Sequence, residues 1–85
     1  MTKIAWITGA SSGIGKALAE RLLRDGYRVA VSARSADALA ELASNHPGKI
    51  GVYPLDVTDP AAVKQVFAAV ESEMGPVDLA VFAAG

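Results

Sequence analysis

The sequence predicts an α/β fold in which helices cover both faces of a parallel β-sheet. Two observations predict it. Four short, nearly continuous apolar runs alternate with three longer segments in which apolar residues recur every three or four positions. Runs of the first kind are typical of strands buried on both faces of a parallel sheet, and segments of the second kind of amphipathic helices. The predicted order is βαβαβαβ, which right-handed crossovers convert into a partial doubly wound sheet with strand order 3-2-1-4.

The four predicted strands cover residues 4–8, 29–33, 50–55 and 79–84. None alternates apolar with polar residues, so we expect all four to be buried on both faces. Trp6 lies in the middle of the first strand and is expected in the core. Its indole N–H then needs a hydrogen-bond partner, which the sequence does not identify.

The first two helices are predicted from their apolar spacing and their ends. The first runs over residues 13–24, and Gly26 is suited to end it because glycine adopts a left-handed conformation without strain. The second follows Ser35 and ends before the NHPG sequence at 45–48. The buried face of the first helix is predicted to contain Ile14, Leu18 and Leu22.

The third helix has the clearest start in the sequence. Asp59 is a suitable N-cap, and Pro60 follows at the first helical position, where its missing N–H costs nothing. The helix is predicted to end at the Gly75–Pro76 pair. Its core face is expected to contain Val63, Val66, Phe67, Val70 and Met74.

The composition is typical of a soluble globular chain, with 52 % hydrophobic and 20 % charged residues and a net charge of −1. It lacks the clustered positive charge of a nucleic-acid-binding protein and any apolar run near the ~20 residues of a membrane-spanning helix. The chain has no cysteine, which excludes a disulfide framework and a thiolate zinc site. We therefore expect no metal, no membrane or nucleic-acid partner, and a cytoplasmic location.

The sequence TGASSGIG at 8–15 joins the first strand to the first helix. A tight turn needs only one glycine, and here Gly9 can make it. Gly13 can let a ligand approach the backbone, while Gly15 can let the helix pack closely on the strand. Backbone N–H groups and the positive end of the helix dipole at such a turn are suited to a phosphate or pyrophosphate. The alternative is a purely structural turn.

Three further strand ends lie at the same predicted edge of the sheet. Arg34 follows the second strand, where the adenosine ribose of a dinucleotide lies; its guanidinium suits a 2′-phosphate, which favours NADP(H) over NAD(H). The alternative for Arg34 is a solvated charge. After the third strand, Asp56 can accept a hydrogen bond from the adenine amino group or bond only neighbouring backbone amides. The small residues Ala83, Ala84 and Gly85 can leave room for a ribose and nicotinamide beside the fourth strand, or can simply pack well.

At these positions the sequence resembles the short-chain dehydrogenase/reductase family, over all 85 residues. TGASSGIG is similar to the TGxxxGxG cofactor turn of that family. SAR at 32–34 resembles the form of the second strand end that prefers NADP, and LDV at 55–57 resembles the family's adenine contact. FAAG at 82–85 departs from the family's NNAG sequence at both asparagines, although its backbone contacts can be retained.

The resemblance implies a Rossmann-type sheet and a hydride transfer between a nicotinamide and an alcohol or carbonyl. It also implies a set of cofactor-binding residues: Thr8, Gly9, Ser11, Ser12, Gly13, Ile14, Gly15, Arg34, Asp56, Val57, Ala83, Ala84 and Gly85. The family's catalytic residues are a tyrosine and a lysine spaced Y-x-x-x-K, with a serine upstream. Neither Tyr27 nor Tyr53 has a lysine four positions later, so no catalytic residue is expected in this chain.

We therefore expect residues 1–85 to be the N-terminal part of a single NAD(P)-binding domain, truncated before the catalytic half and inactive alone. The small-molecule substrate then binds only to the complete enzyme. One alternative is a stand-alone nucleotide-binding module that completes its sheet by self-association, because the fourth strand forms a long apolar edge. Another is an inert, partially folded fragment, because one face of the sheet has only one of its expected helices.

Overall fold

A computed structural model describes residues 2–10 and 13–82 of the chain. Five residues of the predicted cofactor site lie outside the described residues: Ser11, Ser12, Ala83, Ala84 and Gly85. Four strands alternate with three helices as predicted. They are β1 (Ile4–Thr8), α1 (Gly13–Arg24), β2 (Arg28–Ser32), α2 (Ala36–Ser44), β3 (Ile50–Val52), α3 (Pro60–Glu73) and β4 (Leu79–Phe82).

The strands form one parallel sheet in the order β3-β2-β1-β4, which confirms the predicted topology. At the last residue of β1, Thr8 pairs with Ser32 of β2 on one side and with Phe82 of β4 on the other. The carboxyl ends of these three strands therefore meet at one edge of the sheet. The loop to α1 also leaves from this edge.

Pairing between β2 and β3 extends beyond the regular part of β3. The Tyr53 N–H donates to the Val31 carbonyl at 2.9 Å, and the Leu55 N–H donates to the Ala33 carbonyl at 2.9 Å. Pro54 lies between these donors and has no N–H of its own. The backbone bonding thus reaches residue 55 as predicted, although the regular strand ends at Val52.

The helices pack on opposite faces of the sheet. On one face, α1 and α2 cover a core of Ala5, Ile7, Ala10, Ala19, Leu22, Val29, Val31, Ala33, Leu39 and Leu42. On the other face, α3 covers a smaller core of Ile4, Trp6, Ala30, Leu55 and Val70. Alternate residues of β1 thus face opposite layers, as the two-residue repeat of a strand requires.

The predicted burial is confirmed for β1 and for residues 29–33, but it is wrong for the two edge strands: β3 is only half-buried and β4 is largely exposed. All five residues of β1 are buried, whereas Leu79, Ala80 and Phe82 of β4 are exposed, Phe82 to 66 %. The physical reason is position in the sheet. In the described part of the chain, β4 pairs only with β1 and has no strand on its outer side.

The predicted faces of α1 and α3 also need correction. The buried residues of α1 are Gly15, Ala19 and Leu22, and Ile14 lies one residue, or about 100°, away from this stripe. Its side chain is therefore 78 % exposed. Phe67 of α3 is partly exposed as well, although its ring packs 5.8 Å from that of Trp6.

The predicted helix ends are confirmed. Gly26 adopts a φ of 93° after α1, a left-handed conformation that favours glycine. The Ser35 side chain accepts a hydrogen bond from the Ala38 N–H at the start of α2. The Asp59 carboxylate accepts bonds from the N–H groups of residues 61 and 62 at the start of α3.

Trp6 finds its hydrogen-bond partner in the neighbouring strand. Its Nε1–H donates to the Ser32 Oγ at 2.9 Å, and both side chains are buried. The indole also contacts the rings of Phe67 and Phe82, with ring centroids 5.8 and 5.9 Å apart. This bond satisfies two polar groups that would otherwise be costly to bury.

We predict that Trp6→Phe lowers the free energy of unfolding by about 1–3 kcal/mol, because it leaves the buried Ser32 hydroxyl without its donor. Ser32→Ala is expected to destabilise the chain similarly by stranding the indole N–H. The double substitution removes both polar groups and is expected to cost less than the sum of the two. Urea denaturation of the four proteins measures this, and strictly additive costs would contradict the role of the bond.

Candidate cofactor site

The turn after β1 is fixed by one carbonyl group of β2. Gly9 has a φ of 76°, which favours glycine. Its N–H donates to the Ser32 carbonyl at 2.8 Å, and the Ala10 N–H donates to the same oxygen at 3.3 Å. The chain therefore turns sharply at Gly9 as predicted, and the turn is anchored to the end of the adjacent strand.

Gly15 allows α1 to pack directly on this turn. It is buried, and a Cβ added to it would lie 2.9 Å from the Ala10 Cα and would collide with the Gly9 carbonyl oxygen. Backbone atoms cannot move aside as the end of a flexible side chain can. The predicted close packing at Gly15 is confirmed, with the turn itself as the surface against which the helix packs.

Gly13, the first residue of α1, has the opposite environment. It is exposed, and apart from its chain neighbours and the backbone of its own helix, a Cβ added to it would meet no described atom within 4 Å. The first turn of α1 also carries no acidic side chain, so no carboxylate there offsets the positive end of the helix dipole. An anionic group can thus approach the backbone at the start of α1, which fits a phosphate.

Other predicted site residues border the same edge. Thr8 is buried at the end of β1, so its side chain packs within the fold. Ile14 and Val57 expose their apolar side chains, at the start of α1 and after β3 respectively. Exposed apolar groups beside a few polar ones are typical of the lining of a ligand cleft.

Arg34 and Asp56 lie together, although they follow different strands. The Arg34 Nη2 is 3.6 Å from the Asp56 Oδ1, and the two side chains are 75 % and 50 % exposed. Arg34 comes two residues after the end of β2 and directly before the N-cap of α2. The structure therefore brings the predicted 2′-phosphate and adenine residues into direct contact.

Asp56 is held by the residue two positions further along the chain. Its Oδ1 accepts hydrogen bonds from the Thr58 hydroxyl at 2.6 Å and the Thr58 N–H at 2.9 Å. These bonds, the hydroxyl first, hold the pKa of the Asp56 carboxyl below its ordinary value, and the nearby Arg34 charge acts in the same direction. The two Thr58 bonds and the 3.6 Å approach to Arg34 all involve Oδ1, and a carboxylate has a second oxygen that can also accept hydrogen bonds. Asp56 can therefore bond the neighbouring Thr58 amide and still accept a hydrogen bond from adenine, so the two roles considered for it are compatible.

Two residues of the site were missed by the sequence reasoning. Ser32 contributes through its carbonyl, and no side-chain pattern reports on that. Thr58 could have been found, because Asp-x-Thr spacing favours an Asx turn in which the carboxylate bonds the backbone two residues on.

The described residues contain no group of three His, Cys, Asp or Glu side chains placed to hold a metal ion. In the same part of the chain, no helix is both long and apolar enough to cross a membrane.

We predict that Thr58→Val raises the pKa of Asp56 toward its ordinary value, because it removes the hydroxyl donor. Thr58→Ser keeps that donor and is the matched control. Because the folded-state pKa lies below the unfolded one, the stabilisation is present above about pH 4 and is lost as the pH falls below it. Carbon-13 NMR titration of the side-chain carboxyl measures the shift, and equal pKa values in the Val and Ser variants would contradict the assignment.

Comparison with known proteins identifies relatives of this chain. Residues 3–85 match the family model for short chain dehydrogenase. The sequence is 42 % identical over 87 residues to the 3-oxoacyl-(acyl-carrier-protein) reductase FabG of Escherichia coli. It is 38 % identical over 86 residues to the 2,3-dihydro-2,3-dihydroxybenzoate dehydrogenase of Bacillus subtilis. Each alignment covers 98 % of this chain but only 34 % and 33 % of the relative.

Solved structures show the same likeness. A short-chain dehydrogenase from Streptomyces avermitilis superposes with a TM-score of 0.92 at 39 % identity, covering 100 % of this chain and 31 % of that one. A 3-ketoacyl-(acyl-carrier-protein) reductase from Brucella melitensis, complexed with NADH, gives a TM-score of 0.87 at 29 % identity, covering 92 % of this chain and 32 % of that one. The chain thus spans about a third of the length of these relatives. With its partial Rossmann sheet, the chain belongs to the short-chain dehydrogenase family of NAD(P)-binding oxidoreductases.

Proposed function

We propose that this chain is the NADP(H)-binding portion of an enzyme that transfers a hydride between NADP(H) and an alcohol or carbonyl substrate. We further propose that residues 1–85 form the N-terminal part of a single Rossmann domain and contain none of its catalytic residues. The observation that carries the proposal is the open helix N-terminus at Gly13, beside a turn that Gly15 and Ser32 hold in place.

The cofactor pyrophosphate binds at this helix N-terminus. Backbone N–H groups there point away from the helix, and the dipole favours negative charge. Gly13 leaves space for the phosphate oxygens, while Gly9 and Gly15 fix the backbone that receives them. Ser11 and Ser12 belong to the proposed contacts on the strength of the family pattern alone.

The adenosine half of the cofactor lies along the ends of β2 and β3. Arg34 donates to the 2′-phosphate through its planar guanidinium, and the Asp56 Oδ2 accepts from the adenine amino group. Ile14 and Val57 supply exposed apolar contacts. The reductase from Brucella melitensis was solved with NADH, so the proposed preference of this chain for NADP(H) rests on Arg34.

The nicotinamide half lies beyond the carboxyl ends of the adjacent strands β1 and β4. Thr8, the last residue of β1, borders this part of the site. The backbone of Ala83, Ala84 and Gly85 is proposed to complete the contacts to the ribose and nicotinamide. Bound nicotinamide supplies the hydride donor or acceptor. The residues of this chain bind and orient it, and the residue that moves the substrate proton lies outside them, because no Y-x-x-x-K pair occurs in the chain.

A second candidate is a nucleotide-binding module that completes its sheet by self-association. The exposed apolar face of β4 favours it, because an unpaired strand edge can bind another chain. Light scattering on the purified chain separates the two: a monomer that binds cofactor excludes the module, and a dimer that binds cofactor favours it.

We predict that Gly13→Val weakens cofactor binding at least about tenfold and changes the free energy of unfolding by less than about 1 kcal/mol, because its side chain enters only the ligand approach. Gly15→Ala is the matched comparison. Its methyl meets backbone atoms of the turn and is expected to destabilise the fold by about 1–3 kcal/mol. Calorimetric titration and urea denaturation measure the two effects, and undiminished binding by the Val variant would overturn the assignment of Gly13.

We also predict that the chain binds NADPH more tightly than NADH and that Arg34→Asp lowers this preference by about tenfold or more. The substitution removes a charge-assisted donor to the 2′-phosphate and supplies an acceptor for a ribose hydroxyl. Arg28→Asp makes the same charge change at the opposite end of β2 and serves as the control. Titration of the three proteins with both cofactors measures the ratio, which an unaltered preference in the Arg34 variant would contradict.

A further inference from the structure

We propose that Asp56 is a specificity-determining residue that limits the preference for NADP(H), by competing with the 2′-phosphate for the Arg34 guanidinium. The inference rests on the proposed function, because it assumes that a dinucleotide binds at this edge of the sheet. It adds a second role to a residue that the family pattern assigns only to adenine.

The Arg34 and Asp56 side chains form an ion pair. The Arg34 Nη2 lies 3.6 Å from the Asp56 Oδ1, so a carboxylate already lies beside the guanidinium that is proposed to bind the 2′-phosphate. Arg34 is exposed and has only this ion pair in the described residues. An incoming anion that binds Arg34 must therefore compete with the Asp56 carboxylate.

Thr58 restrains the Asp56 side chain. Its Oδ1 accepts two hydrogen bonds from Thr58, at 2.6 and 2.9 Å. Turning the carboxylate away from Arg34 would break these bonds. The negative charge therefore stays beside the guanidinium when a phosphate arrives.

The two cofactors differ in the group that would lie beside Arg34. A 2′-phosphate carries about −1.5 to −2 charges near neutral pH and binds through the Arg34 guanidinium, so NADPH must share that guanidinium with the Asp56 carboxylate. NADH has a hydroxyl there and meets no such competition. Contacts between Asp56 and adenine are common to both cofactors and cancel when their affinities are compared.

Both side chains are well exposed, so the effect is moderate and depends on ionic strength. An exposed pair of charges is screened by salt over about 10 Å at 0.1 M. We therefore expect Asp56 to change the ratio of the two affinities several-fold rather than to decide it alone.

The test is Asp56→Asn. Asparagine keeps an Oδ1 that accepts the Thr58 bonds, and it removes the charge. The ratio of the dissociation constants, NADH over NADPH, is expected to rise about two- to fivefold in calorimetric titrations at low salt, and to rise less at high salt. Asp56→Ser removes the charge in a second way, and a rise is expected there too.

Asp59→Asn is the matched control. It makes the same charge change three residues along the loop, keeps a side chain that caps α3, and removes no ion pair of the described residues. Its cofactor ratio is expected to stay within error of the wild type. A rise equal to that of the Asp56 variants would show a general charge effect and overturn the proposal.

A double substitution tests whether Asp56 acts through Arg34. In an Arg34→Gln background, Asp56→Asn is expected to change the ratio much less, because the shared guanidinium is gone. A full effect in that background would mean that the carboxylate repels the phosphate directly, and an unchanged ratio in the single Asp56 variants would show an adenine role alone. Either result overturns the proposal. Failure of the wild-type chain to bind either cofactor is a separate result, seen without any substitution, and it rejects the proposed function itself.

Discussion

The whole candidate site depends on the bonding of the glycine turn to the Ser32 carbonyl. That oxygen accepts the N–H groups of both Gly9 and Ala10, so it fixes where the chain leaves β1. Gly15 then sets how closely α1 approaches, because any side chain there would meet the turn backbone. The open space at Gly13 is therefore a consequence of contacts made on either side of it.

The same strand end ties the site to the core on the opposite face. Ser32 accepts the turn with its carbonyl and the Trp6 indole with its hydroxyl. Trp6 in turn contacts Phe67 of α3 and Phe82 of β4. Packing beneath α3 and the position of the glycine turn are thus linked through one residue of β2, which gives the small core of that face a role in shaping the candidate site.

Local patterns predicted the fold well, because apolar runs and helix caps depend on neighbouring residues. Asp59 starts α3 and Gly26 follows the end of α1, each where the chemistry of that residue places it. The exposure of Ile14 and of β4 was not predictable in this way, because it depends on which elements lie nearby in space. At the site, the roles of Gly9 and Gly15 in the turn followed from the spacing of the glycines. The contact of Arg34 with Asp56 did not, since it joins two loops that only the sheet brings together.

The position of Trp6 gives the chain a built-in optical probe. It is the only tryptophan in the sequence, and it lies in the strand that leads to the glycine turn. A buried indole that donates to a hydroxyl emits differently from one in water, so its emission distinguishes folded from unfolded chain without a label. Reduced nicotinamide absorbs where tryptophan emits, and energy transfer from Trp6 would make the chain report on the cofactor through its own fluorescence.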